Sequence, residues 1–199
     1  MKKILLSFLL IFCSFFANAQ FYGGFCFDCE SSIEAGVVYS NISGLEGASP
    51  KAGFYIGFYQ FAYLSDDFAL RAGTSYSNIG AEVDGYENPL VIHSIGFPLS
   101  LHYQYKYSFQ VFAGGELGTN FFGQLPAYES EDTFDNSFEF SDQFTSFDAS
   151  IIIGAGKIFF DTIDVNIRYN LGVTNINKDI NGPKLKKNWL TLSVGYTFR

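Results

Sequence analysis

The stretch "IDVNIRYNLGVT", Ile163 to Thr174, decides the fold. Its odd positions are Ile163, Val165, Ile167, Tyr169, Leu171 and Val173. Its even positions are Asp164, Asn166, Arg168, Asn170, Gly172 and Thr174. The two sets separate without a miss, and alternation at period two marks a strand with one greasy and one polar face. The last stretch repeats the pattern, with Leu190, Leu192, Val194, Tyr196 and Phe198 alternating with Thr191, Ser193, Gly195 and Thr197.

Working outward, six more segments separate in the same way. Strand one runs from Ser32 to Ile42, with Ile33, Ala35, Val37 and Tyr39 on the apolar face. Strand two spans Lys51 to Tyr63, with Ala52, Phe54, Ile56 and Phe58 on that face. Strand three spans Asp67 to Ile79, with Phe68, Leu70, Ala72, Thr74 and Tyr76. Strand four spans Val91 to Tyr105, with Ile95, Phe97, Leu99, Leu101 and Tyr103. Strand five spans Ser108 to Phe121, with Phe109, Val111, Ala113 and Leu117. Strand six spans Thr145 to Phe159, with Phe147, Ala149, Ile151, Ile153 and Ala155. Each reaches the roughly 9–11 residues that cross a bilayer at a tilt of about 45°.

Connectors alternate in length. Ser65 to Asp67, Lys106-Tyr107 and Asp161-Thr162 are tight turns, whereas Ser43 to Pro50, Gly80 to Leu90, Phe122 to Phe144 and Asn175 to Lys187 are longer. Short turns on one side and long loops on the other are the layout of an outer-membrane barrel. Phe68, Tyr103, Tyr105, Phe109, Phe159, Tyr196 and Phe198 then fall at one level as an inner aromatic girdle. The fold expected is all-β, an eight-stranded antiparallel up-and-down transmembrane β-barrel. A lipocalin-like barrel is the inverted alternative, with its greasy face inward and Asp164, Asn166, Arg168 and Asn170 outside.

Composition agrees with a barrel in lipid. The chain holds 24 Phe and 13 Tyr with only 16% charged residues, and no later segment offers the roughly 18 uninterrupted apolar residues of a membrane helix. "MKKILLSFLLIFCSFFANAQ" has the features of a secretory signal: Lys2 and Lys3, an apolar run from Ile4 to Phe16, and the small-x-small site Ala17-Asn18-Ala19. The expected organisation is a cleaved signal peptide over residues 1–19, a periplasmic tail over 20–31 and the barrel domain over 32–199. Without Lys2 and Lys3 the chain carries ten basic against twenty acidic residues. That balance argues against nucleic acid as a partner.

The chain resembles the PorT-like outer-membrane β-barrel family of Gram-negative bacteria. The stretches that carry the resemblance are "AGVVYSNISG", "GFYIGFYQFAYLSDDFALRAGTSYSNIGAE", "RYNLGVTNI" and "LTLSVGYTFR". The resemblance implies an eight-stranded barrel in the cell outer membrane. The namesake is associated with protein secretion. The family pattern supplies no catalytic residue.

Four groups are candidate sites. Cys26 and Cys29, in "FCFDCE", would face the oxidising periplasm and read as a local disulfide. Glu34, Arg71, Glu116, Asp148, Asp164 and Arg168 lie on the polar faces. They read as a lumen charge network, because a barrel of eight strands is filled by side chains and buried charges must pair. His93 falls near the outer rim, where a lipid-modifying enzyme would work, and His102 falls inward and low. Glu129, Glu131, Asp132, Asp135, Glu139 and Asp142 lie in "YESEDTFDNSFEFSDQF", interleaved with Phe134, Phe138 and Phe140. This acidic extracellular loop reads as a solvated run, or as an irregular Ca²⁺ site.

These features point to an envelope barrel with a structural or protein-docking role, no open pore, no catalytic residue, and no cofactor or metal. Its surroundings would be outer-membrane lipid, with other envelope proteins as candidate partners, and the barrel is expected to be a monomer. The alternative is a rim-active hydrolase or acyltransferase acting on lipid.

Overall fold

The computed structural model describes residues 29–106, 108–126 and 143–198. Eight strands follow one another: β1 (Cys29–Ser43), β2 (Ala48–Tyr63), β3 (Phe68–Val83), β4 (Leu90–Tyr105), β5 (Phe109–Gln124), β6 (Phe147–Phe159), β7 (Ile163–Gly172) and β8 (Lys186–Phe198). Each pairs antiparallel with its neighbour in sequence, and β8 pairs with β1 from Ser31↔Phe198 to Ser43↔Lys186, closing the sheet. Closure is what lipid demands, since hydrocarbon offers an unpaired backbone amide no partner. No described helix is long and apolar enough to cross a membrane; the strands do the crossing.

The alternation fixes which face meets lipid. Ile167, Leu192 and Val37 stand side by side across β7, β8 and β1, each about half exposed. Their chain neighbours Arg168, Thr191 and Val38 are buried inside. The lipocalin-like inversion is therefore excluded: Asp164, Asn166, Arg168 and Asn170 all lie in the lumen.

The predicted girdle forms at the turn end. Phe68 stands opposite Tyr103 with ring centroids 5.2 Å apart, Tyr105 opposite Phe109, and Tyr196 packs edge-on to Phe198 at 5.0 Å. Ile163 links Phe159 to Tyr196 through the ladder. A second aromatic group lies toward the other end, where Phe54 meets Tyr76 at 5.3 Å. There a bulge in β5 breaks the alternation at Phe121 and Phe122, and both rings face outward.

Several boundaries differ from the sequence reading. β1 begins at Cys29, so the last three residues assigned to the tail already pair with β2. The connector placed at Ser43 to Pro50 shrinks to residues 44–47, with Gly44 and Gly47 both at positive φ. The one placed at Gly80 to Leu90 shrinks to residues 84–89. Length asymmetry thus rests on the two remaining connectors, residues 125–146 and 173–185. The signal sequence, Cys26 and the acidic run from Glu129 to Asp142 lie outside the described residues.

The wall sets a test. Leu192→Arg would put a guanidinium among Val37 and Ile167 on the lipid face, at a cost of about 2–4 kcal/mol near the bilayer midplane. Ile180→Arg, on the exposed connector between β7 and β8, should cost nothing measurable. Heat-modifiable gel migration after refolding should be strongly reduced for the first variant and normal for the second.

Candidate functional site

The lumen gathers the candidate charges. Glu34 of β1 meets the guanidinium of Arg71 at 2.5 Å and that of Arg168 at 3.6 Å. All three are at least 96% buried. One carboxylate cannot by itself replace the hydration of two cations. Tyrosines supply part of the rest, while Arg71 Nε has no hydrogen-bond partner among the described residues. The Arg71 guanidinium lies over the Tyr59 ring, 3.5 Å from its centroid, and Arg168 lies 4.6 Å from the centre of Tyr55. The Arg168 Nη1 also donates to the Tyr59 hydroxyl at 3.3 Å. Desolvated contacts of this kind between a cation and a ring are worth on the order of 2 kcal/mol.

A chain of side-chain hydrogen bonds runs to the same carboxylate. Ser100 Oγ and His102 Nε2 are 3.0 Å apart, and His102 Nδ1 lies 3.0 Å from Gln110 Oε1. Gln110 Nε2 donates to Asn166 Oδ1 at 2.8 Å, and Asn166 Nδ2 donates to Glu34 Oε1 at 2.9 Å. A carboxamide oxygen can only accept, so His102 carries its proton on Nδ1 and takes one from Ser100 on Nε2. Every donor in the chain then points toward Glu34. His102 is fully buried and stacks on Phe112 at 4.4 Å, inside the lumen and far down β4.

The second group sits nearer the loop end. Lys187 Nζ bridges to Asp148 Oδ2 at 2.5 Å and donates to Asn120 Oδ1 at 2.8 Å. Asn120 in turn donates to Asp148 at 2.8 Å. Glu116 accepts from Asn170 at 3.3 Å, and its carboxylate lies directly over Gly96. Lys187 is the residue that the sequence reading missed. It falls in the connector assigned to Asn175 to Lys187, yet it shares the odd parity of Thr191 and Ser193, which carries the lumen face of β8 back to it.

Above these charges the lumen turns apolar. Val38, Ile42, Ile79, Ala81, Leu90, Ile92 and Trp189 form one buried cluster. Phe144, Ile176 and Leu185 join it from the connectors. Thr145 N donates to Ile176 O at 2.8 Å and Ile176 N to Leu185 O at 2.8 Å, which folds these three side chains into the mouth. The loop end is stoppered by carbon.

Among the described residues, no three His, Cys, Asp or Glu side chains converge as metal ligands would. Cys29 is disulfide-bonded, and its partner lies outside the described residues. His93 faces outward on the wall rather than into the mouth, with Nδ1 2.5 Å from the Tyr76 hydroxyl and Phe122 at 5.2 Å.

The outer membrane protein beta-barrel domain family matches residues 16–178. The chain belongs to that family. It is an integral protein of the outer membrane. Neisserial surface protein A is similar in structure, at a TM-score of 0.55 and 15% identity, over 86% of this chain and 99% of that one. The attachment invasion locus protein Ail of Yersinia pestis is similar at a TM-score of 0.51 and 14% identity, over the same shares of each chain. At such identities the likeness is one of fold. Comparison with curated proteins gives no match.

Removing the shared carboxylate should be costly. Glu34→Ala leaves Arg71 and Arg168 buried without their counter-ion, and breaking a buried pair in this way costs about 3–5 kcal/mol. The urea midpoint of the refolded barrel should fall accordingly. Glu82→Ala, on the exposed end of β3, should leave it in place.

Proposed function

We propose that this barrel is a sealed, non-enzymatic element of the outer membrane that serves a structural or protein-docking role. The observation that carries the reading is the doubly filled lumen: ion pairs around Glu34 and Asp148 below, and an apolar stopper around Trp189 above. Such a filling leaves no continuous aqueous path. The finer resemblance to PorT-like barrels is supported by the order and spacing of the four stretches that carry it. An association with protein secretion would follow from that resemblance. Other envelope proteins are the partners this reading favours, with the barrel itself a monomer in outer-membrane lipid.

The rim-active enzyme is the competing reading. It would need a nucleophile and a base at the outer rim, and His93 instead pairs with Tyr76 on the outer wall, packed by Phe121 and Phe122.

Two measurements test the reading. Refolded protein in planar bilayers should show no reproducible single-channel steps; stable steps abolished by changing Arg71 or Glu116 would refute the sealed lumen. Hydrolysis of short-chain esters by the same preparation should not exceed the lipid background, with His93→Ala as the control. Turnover lost in that variant would favour the enzyme.

A further inference from the structure

The two ends of the lumen are unlike. The loop end is closed by the apolar cluster, and the turn end opens into a cavity of about 630 Å³. In an outer-membrane barrel the short turns face the periplasm. The mouth is therefore a blind cup that faces inward. Its volume lies within the range of pockets that enclose small organic ligands.

The walls have one sign of charge. Asp66 and Asp161 project from the β2–β3 and β6–β7 turns at the rim, and Asp164 lies on the floor. Glu30, which accepts from the Tyr63 hydroxyl at 2.7 Å, joins them at the side. Among the described residues no Lys or Arg lines the cavity. Asp164 is buried and makes no ion pair among the described residues; its carboxylate is held by Asn166 and lies against that of Glu34. Gly195 lies beneath it, where a Cβ would come within 2.5 Å of Oδ2, so the wall keeps that floor position open for a carboxylate.

A second feature points to a ligand. Gln104 is 95% buried and lines the cavity, yet among the described residues its carboxamide has no hydrogen-bond partner. Its neighbour across the β4–β5 ladder, Gln110, spends both amide groups on His102 and Asn166. With no side-chain partner among the described residues, the Gln104 carboxamide is presented to the cavity and can bond whatever occupies it.

We propose that this periplasmic cup binds an extended organic cation, one that carries several ammonium groups along a flexible apolar chain. The carboxylates are spread over rim and floor and do not converge on one point, which is the wrong arrangement for a metal ion and the right one for spaced ammonium groups. Phe61, Tyr63, Leu64 and Ile158 between them supply apolar and ring surface for the methylenes. The Gln104 oxygen is free to accept from an ammonium at the floor. The cup would hold such a ligand whether or not the barrel docks a protein partner.

The ammonium chain could come from a free polyamine or from a lysine-bearing segment of a periplasmic protein. The test uses the full barrel refolded into zwitterionic nanodiscs, titrated calorimetrically with spermidine in one arm and pentalysine in the other. Saturable binding near one site per barrel is expected for at least one probe. It should weaken at least tenfold in Gln104→Leu, and likewise in the double variant Asp66→Asn with Asp161→Asn. Those three positions lie outside the ion-pair network, and heat-modifiable migration checks that each variant is folded. Tighter spermidine assigns the free polyamine, and tighter pentalysine assigns the protein segment. Magnesium at matched ionic strength should not displace the probe. Absence of saturable heat with both probes, equal affinity in the variants, or displacement by magnesium would overturn the proposal.

Discussion

Two guanidinium groups share one carboxylate at the centre of this barrel, and much else follows from holding them there. Arg71 arrives from β3 and Arg168 from β7, on opposite flanks of β1, which carries Glu34. Bringing both to one point fixes how the three strands stand around the lumen. The tyrosines of β2 fill the space above the guanidiniums, and there the wall must be thin: a Cβ on Gly57 would sit 2.5 Å from the Tyr59 ring. Burial removes the water that would otherwise solvate these charges, so every lone pair and proton needs a protein partner. The hydrogen-bond chain from Ser100 through His102, Gln110 and Asn166 supplies one of them, from four residues on three strands.

The transmembrane portion of the fold was legible because lipid and lumen impose opposite demands on adjacent residues. Ile163 to Leu171 shows this without a break: each odd residue is on the outside and each even one is buried. Legibility fades toward the loop ends of β1 to β4 for a physical reason. There the lumen face is itself apolar, with Val38 and Ile42 on β1 and Ile79 and Ala81 on β3. At the same level the outer face carries Asn41, Asn78 and Glu82. The contrast between faces weakens and then inverts, so the pattern stops marking a strand while the ladder continues to Ser43 and Val83. The β5 bulge is similar, since Phe121 and Phe122 both face out and no count of period two anticipates that.

For the candidate site, parity told which side chains enter the lumen and could not tell at what height they meet. Glu34 and Arg168 are on far-separated strands in sequence, and only the closed register through β8 brings them within 3.6 Å. Glu116 and Asp148 share a face with Glu34, but they belong to a separate cluster around Asn120, Asn170 and Lys187. Lys187 was hidden because the two residues on either side of it, Lys186 and Asn188, are polar as well. Only the parity of Trp189 and Thr191 extends β8 far enough back to show that it points inward. Gln104 gave no signal at all, because a glutamine on a lumen face reads as filler until three dimensions show it lining the cavity with no side-chain partner among the described residues.

The apolar stopper and the ion pairs depend on each other. A cluster of carbon at the loop end keeps water from the layer around Glu34, and in that drier surrounding the attraction between Glu34 and the arginines is several times what solvent would leave of it. The ion pairs in turn hold β1, β3 and β7 at a spacing that lets Val38, Ile79 and Trp189 meet across the lumen. The turn end needs no stopper of its own. Its polar groups, Gln104 and Asp164 among them, line an open cavity instead of a packed layer. A barrel filled this way is apolar at its loop end and polar at its turn end. Asp164, which makes no ion pair among the described residues, lies where the cavity begins.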